Sequence, residues 1–420
     1  MDSDFRPVKR PVKSLQSNLN DLKPTAADTN TFKTPEQTAA EDALVDSSPA
    51  EPAAIKRPEP SAPQKAGLRQ KLANFWPPTK KEWAIAAFFI LAFGFTLTVF
   101  LQHGHKAPVT HAAKTVVKKA PPKPTTVAST LSGLQVDPSI NQKPVTGVMI
   151  ENSIQARPQS GLGQAGVVFE AIAEGGITRF LALFQDTSPT DVGPIRSARP
   201  YYAEWALGFD AGYAHVGGSP EALANIKAWG VKDLDQFHAG GSYHRISSRP
   251  APHNVYTSID ALNQLEASRG YNSSTFTGFA RKKEAPSKQP TAKSINFSIS
   301  GPVYSVHYDY NPTSNNYLRS EGGSAHIDAS TNTQISPKVV IALVIPYSLE
   351  ADGYHSSYAV IGSGQAYVFQ DGTVTIGQWS KPDNTSQITF TDGSGQPLGL
   401  NPGQTWLTAV SAATKVTYAP

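Results

Sequence analysis

Residues 83–101 read WAIAAFFILAFGFTLTVFL, nineteen consecutive positions without a charge. Wound as an α-helix at about 1.5 Å per residue, the run is roughly 28 Å long, close to the hydrocarbon thickness of a bilayer. It starts 82 residues into the chain, and the QHGHK that follows has no small-residue cleavage pattern. The pattern therefore predicts a retained single span and not a signal peptide. Within about 20 residues, Lys65, Arg69, Lys71, Lys80 and Lys81 precede the run, and Lys106, Lys114, Lys118 and Lys119 follow it. The pair Lys80-Lys81 lies one residue before the run, whereas only Lys106 is close on the other flank, so the expected topology has the N-terminus in the cytoplasm and the C-terminal part outside.

The composition changes on either side of this span. Residues 1–75 are rich in Pro, Ala, Ser, Thr and charge, with too little apolar surface to offset the entropy of ordering, and read as a disordered cytoplasmic tail. Within it, Arg6, Lys9, Arg10 and Lys13 read as a solvated charge cluster. Residues 102–142 have the Pro- and Lys-rich texture of a linker. The chain contains no cysteine. That excludes disulfides, thiolate zinc, a cysteine nucleophile and a lipid-modified cysteine, so an exported domain here must rely on its core.

From 143 onward the pattern is that of a folded protein. VTGVMI (145–150), GVVFEAI (166–172) and ITRFLALFQ (177–185) are strand-like, the last two joined by a turn at Glu174-Gly175-Gly176. YYAEWALGF (201–209) reads as a helix and DAGYAHV (210–216) as a strand. Ser219 and Pro220 have the types of an N-cap and first helical residue for EALANIKAW, and Gly230 suits its C-terminal stop. A second capped helix is expected at 259–268, between Ser258 and Gly270. Past 290 the runs are short and β-like, with turns at Asp371-Gly372 and Asp392-Gly393. The reading is α+β: a mixed α/β domain over 143–280, a connection over 271–290, and a mostly β domain over 290–420.

The candidate chemistry lies between 150 and 255. Residues 143–279 contain seven Arg (157, 179, 196, 199, 245, 249 and 269) and three Lys. Arginine is favoured where a planar fork grips carboxylate or phosphate. Arg157, Arg196 and Arg199 lie in Gly/Pro-bounded, loop-like sequence, where sites are commonly built. The competing reading is internal pairing with Glu170, Glu174 or Asp210. Gly217-Gly218-Ser219 opens onto a helix N-terminus, an arrangement suited to an anion, but the P-loop lysine and the dinucleotide glycine pattern are both absent. Ser219 fits a helix cap better than a nucleophile paired with His215 or His253. Asp210, His215 and His253 lack short metal spacing, so no metal and no cofactor is expected. Glu170 and Glu174 resemble the paired carboxylates of glycoside hydrolysis only if one strand runs through both, against which Gly175-Gly176 argues.

The blocks ARPQSGLGQAGVVFEAIAEGGITRFLALFQ, GPIRSARPYYAEWA, DAGYAHVGGSPEAL and RPAPHNVY, followed by GSGQAYVFQDGTVTIGQWSK and LNPGQTWLTAV, resemble the YerB-like family of bacterial cell-surface proteins, often lipoproteins. The resemblance covers about 143–420. It implies a three-layer, mixed-sheet α/β domain followed by a β domain, and implies no reaction. By motif position it marks Arg157, Glu170, Glu174, Arg179, Arg196, Arg199, Asp210, His215, Ser219, His253 and Asn254. The chain departs from the family pattern in carrying an apolar span where many members carry a lipid-modified cysteine.

Three functions compete. One is a membrane-anchored module binding an anionic envelope component, such as a glycopolymer or peptide carboxylate, in an Arg-lined pocket. The second is an envelope hydrolase or transferase with His215 or His253 as acid/base, assisted by Asp210. The third is an assembly scaffold. With no nucleophile–base motif in evidence, binding is the favoured expectation. Nucleic acid is not expected, since 143–279 holds twelve acidic residues against ten basic ones and no basic stripe.

Overall fold

The computed structural model describes residues 125–420. The expected tail (1–75), the apolar run 83–101 and the linker as far as 124 lie outside the described residues. Among the described residues, no helix is long and apolar enough to cross a membrane.

The first apolar runs form β1 (Thr146–Glu151), β2 (Val167–Ile172) and β3 (Thr178–Phe184). Then come α1 (Pro200–Leu207), β4 (Gly212–Ala214), α2 (Pro220–Trp229), β5 (Lys232–Asp233) and α3 (Ile259–Ser268). The rest is β: β6 (Ser294–Ser298), β7 (Ser305–Asn311), β8 (Asn316–Glu321), β9 (Ser324–Ala325), β10 (Val339–Val344), β11 (Gly362–Gln370), β12 (Thr373–Lys381), β13 (Thr389–Thr391), β14 (Thr405–Val410) and β15 (Val416–Ala419). Local chemistry sets the helix ends. Ser219 Oγ accepts from Ala222 N–H and Ser258 Oγ from Ala261 N–H, while Gly230 leaves α2 at φ 67°. The β2–β3 turn uses Gly175 and Gly176 at φ 55° and 78°, a region open to glycine.

The two expected domains share one sheet. Its ten strands run β13-β12-β11-β10-β14-β2-β3-β1-β4-β5. The join is β14, near the C-terminus, which pairs parallel with β10 on one side and β2 on the other; Trp406 stands level with both Val340 and Val168. The described residues form one compact unit. Residues 125–142, expected as linker, also belong to it: Val127–Ala128 pairs with Gln135–Val136, and Leu131 enters the core. The stretch looked like linker because its few apolar residues follow no period.

Layers cover both faces. On one face, α1 presses its aromatics onto β2, with Phe169 and Trp205 stacked at 4.8 Å. On the other, Ile259 and Leu262 of α3 pack with Val148, Val168 and Phe180. The same face carries a five-stranded antiparallel sheet, ordered β9-β8-β7-β6-β15. Contacts such as Phe297–Phe369 and Arg319 over Trp406 hold that sheet to the large one. Burying each large apolar side chain contributes about 1.5–3 kcal/mol.

Candidate functional site

Four polar groupings surround the strand ends. The segment carrying Arg196 and Arg199 is extended and lies between the end of β1 and the residues after β4. Arg196 N–H donates to Met149 O, Val216 N–H to Arg196 O, and Ala198 N–H to Gly217 O. This placement turns the arginines into two buried networks.

In the first network, Arg199 pairs with Glu174, and Arg179 donates to the other Glu174 oxygen at 3.0 Å and to Ser197 O at 2.8 Å. In the second, Arg196 faces Glu151 at 3.2 Å. His253 Nδ1 lies 2.7 Å from the other Glu151 oxygen, which also accepts from Ser153 Oγ at 2.6 Å. Burial pushes the Glu151 carboxyl up, but Arg196, His253 and Ser153 together hold it below the ordinary value. The expectation of an open pocket lined by Arg179, Arg196 and Arg199 is corrected accordingly: all three are buried and face carboxylates inside the fold. The signal missed was Glu151, one residue beyond the apolar run that forms β1.

The third grouping ties the two sheets. Glu170, fully buried, accepts both Nη2 contacts of Arg319 at 2.9 and 3.0 Å, along with Trp406 Nε1–H and Thr408 Oγ1–H. Arg319 also reaches Glu321 and His326, and His326 Nε2 meets Gln159 Oε1 at 2.9 Å. Burial and then the Arg319 charge push the His326 imidazole well below its usual value, so it is neutral. Glu170 and Glu174 are not a catalytic pair. Glu170 points to the α3 face of β2, whereas Glu174 lies past the strand end with Arg179 and Arg199. The alternation in Tyr317-Leu318-Arg319-Ser320-Glu321 carried a signal for this grouping, since it puts both charges on the face of a buried tyrosine.

The fourth grouping surrounds His215, which is fully buried. Its Nδ1 meets Gly217 O at 2.7 Å and its Nε2 meets Asp233 Oδ1 at 3.0 Å. Both ring nitrogens are therefore engaged away from Ser219, which caps α2 and donates to Glu350 at 3.3 Å. The anion expected at Gly217-Gly218-Ser219 is supplied by the chain itself. Gly217 N–H donates to Asp235 at 2.9 Å, and Gly218 packs so closely on Ala198 that an added Cβ would lie 3.1 Å from its methyl. Asp210 stands at the opposite end of β4, at φ 47°, paired with Lys232 at 2.9 Å. Five residues of extended strand, roughly 16 Å, separate it from His215, so Asp210, His215 and His253 do not form one centre. Asn254 braces its own loop, accepting from Arg245 at 2.7 Å and donating to Ile246 O and Arg249 O. Among the described residues, Glu350, Asp352 and His355 have ligand atoms within 4.8 Å of one another, and His355 Nδ1 is already engaged by Asp352.

One marked arginine reaches the surface. Arg157 bounds a cleft of about 430 Å³ whose walls include Ile154, Pro158, Val303, Ala325 and Ile327, with Glu321 and His326 also lining it. Asn152 Oδ1 takes its Nε–H at 3.0 Å, and Val303 O takes an Nη1–H at 3.0 Å. Its side chain remains 21% exposed, against 2% for the paired Glu321, so the charge accessible in the cleft is positive. Ile154 and Val303 are exposed at 59% and 42%. The sequence marked Arg157 but not the apolar walls, because Val303, in the turn 302–304 before β7, and Ala325, in β9, are brought to it from a distant part of the chain.

Comparison with known proteins agrees with this architecture. Two family models match, "Protein of unknown function (DUF3048) N-terminal domain" over residues 131–272 and "Protein of unknown function (DUF3048) C-terminal domain" over 295–407. A Bacillus subtilis (strain 168) protein named "Putative lipoprotein YerB" is 31% identical over 335 residues, covering 79% of this chain and 96% of that one. A crystal structure of YerB from Bacillus subtilis aligns with a TM-score of 0.64 at 27% identity, over 70% of this chain and 100% of that one. With both family models matched in order and a relative 31% identical over 79% of this chain, the chain belongs to the YerB-like, DUF3048 family.

Proposed function

We propose that this protein is a membrane-anchored, extracytoplasmic binding module that takes an anionic cell-envelope component in the cleft beside Arg157. The observation that carries the reading is the cleft itself, an apolar-walled space of about 430 Å³ whose accessible charge is a single guanidinium. The arginines farther inside act as scaffold, since each faces a buried carboxylate. Anchoring is supported by the uncharged run 83–101 and by the lipoprotein name of the relative. Protease added to intact cells is expected to digest the part beyond residue 125. Its survival until the cells are lysed overturns the orientation.

The cleft is tested with Ile154→Asp, a change at an exposed position that leaves the melting temperature within about 2 °C. Binding of the full chain to isolated envelope fractions is expected to fall at least about tenfold. Unchanged binding removes the cleft from consideration.

A second reading, acid/base catalysis, is favoured by one observation: the buried Glu151 carboxylate holds His253 through Nδ1, as an orienting carboxylate does in catalytic dyads. Under that reading His253→Gln abolishes turnover of envelope material and leaves binding intact. Equal turnover in both proteins rules it out.

A further inference from the structure

We infer that the cleft recognises an extended peptide by strand addition, with β9 as the receiving edge and an acidic side chain or carboxylate meeting Arg157. The inference rests on the reading that the cleft is the ligand site, and it names the ligand's class. β9 is the outermost strand of the five-stranded sheet, and both its residues are exposed. It is joined to β8 through Gly322-Gly323, both at positive φ. His326 N–H donates to Arg319 O at 3.0 Å and closes the β8–β9 ladder, while Arg319 N–H and His326 O both turn to Ile335. The adjacent pair, Ser320 with Ala325, is then the non-hydrogen-bonded kind, whose N–H and C=O groups point away from each other's strand. Ala325 thus turns its backbone donor and acceptor to the open side of the edge, and Ser324, Ala325 and Ile327 all line the cleft.

An unpaired edge beside an apolar cleft is a template for another strand. Past Ala325 the outer side is already taken, with Ile335 N–H donating to His326 O and Ile327 standing opposite Gln334, so the receiving edge is the two residues of β9, roughly 7 Å, and a short extended segment of peptide docks there. Alternate side chains of that peptide would meet Ile154 and Val303, exposed large apolar residues of the walls. The accessible charge selects the sign of the partner: Arg157 is open and Glu321 is closed. A glycopolymer offers anions but no backbone N–H and C=O at strand spacing, so the free pair on Ala325 favours a peptide.

The test uses the full chain and an acetylated, amidated pentapeptide alternating Val and Asp, with sodium polyphosphate as a polyanion lacking a peptide backbone. The pentapeptide is expected to bind. N-methylation of its alternate amides is expected to weaken binding at least about tenfold, the equivalent of one lost hydrogen bond. Ala325→Pro removes one outward N–H at an edge position that tolerates proline and is expected to weaken binding to a similar extent. Hydrogen exchange at Ala325 is expected to slow in the complex. If the pentapeptide does not bind, or binds equally well when N-methylated, strand addition is overturned; the N-methyl comparison holds even if the proline variant misfolds. Polyphosphate binding that is lost in Ile154→Asp but not in Ala325→Pro overturns the peptide and leaves the cleft standing. Undiminished binding of both probes by Ile154→Asp overturns the cleft reading as well.

Discussion

Replacing Arg319 with alanine is expected to destabilise the folded unit by about 3–5 kcal/mol, the usual cost of stranding a buried charge. Arg319 is fully buried and holds Glu170 through two contacts at 2.9 and 3.0 Å. Burial pushes the Glu170 carboxyl up, and Arg319 is the strongest opposing pull. Without the guanidinium, Glu170 must ionise unpaired or take up a proton, and Glu321 loses a partner too. Urea unfolding, with the slope unchanged between variants, reads the effect. The double variant Glu170→Gln, Arg319→Met is expected to recover more than half of the loss, because no unpaired charge remains. A loss below about 1 kcal/mol for Arg319→Ala shows that water or rearrangement compensates the carboxylate and that the two sheets are not tied there.

The second large effect depends on pH. Glu266 of α3 is fully buried; its Oε2 accepts from Thr146 Oγ1 at 3.0 Å, and its Oε1 has no hydrogen-bond partner. It packs against Gly212, where an added Cβ would lie 2.0 Å from Oε1. Burial raises its pKa from 4.5 to about 8. The sign follows from proton linkage. Between these two values the unfolded chain has released the proton while the folded chain still holds it. The folded state is therefore favoured at low pH, and its advantage is lost as pH rises from about 4.5 through 8. At about 1.4 kcal/mol for each tenfold difference in proton affinity between the two states, the full loss is on the order of 3–5 kcal/mol. Glu204, raised to about 7 chiefly by burial, titrates with the same sign, so the comparison must be made between proteins. Stability of Glu266→Gln is expected to vary less with pH than wild type by that amount, the gap opening between pH 5 and 8. Parallel curves show that Glu266 is already ionised in the fold.

Periodicity and local chemistry made much of the secondary structure readable. The apolar runs at 145–150, 166–172 and 177–185 became β1, β2 and β3 within a residue or two, because a strand buried on both faces needs an unbroken apolar run. Helix α2 runs between Ser219 and Gly230 as read, since a hydroxyl cap and a left-handed stop act within one turn. Ser219 as cap, rather than nucleophile, was legible for the same reason. The family blocks were also in the sequence, and with them the mixed α/β class.

The partners of the charged residues were decided by the tertiary structure. Arg319 meets Glu170 from 149 positions away, and β14 reaches β2 from more than 230, which turns two apparent domains into one sheet. Asp210 and His215, close in sequence, were separated by the strand between them. Local sequence carries information about turns, caps and faces because those interactions span a few residues. Which carboxylate neutralises which guanidinium, and which arginine is left at a cleft, depends on where strands from distant segments dock, and only the packed structure determines that.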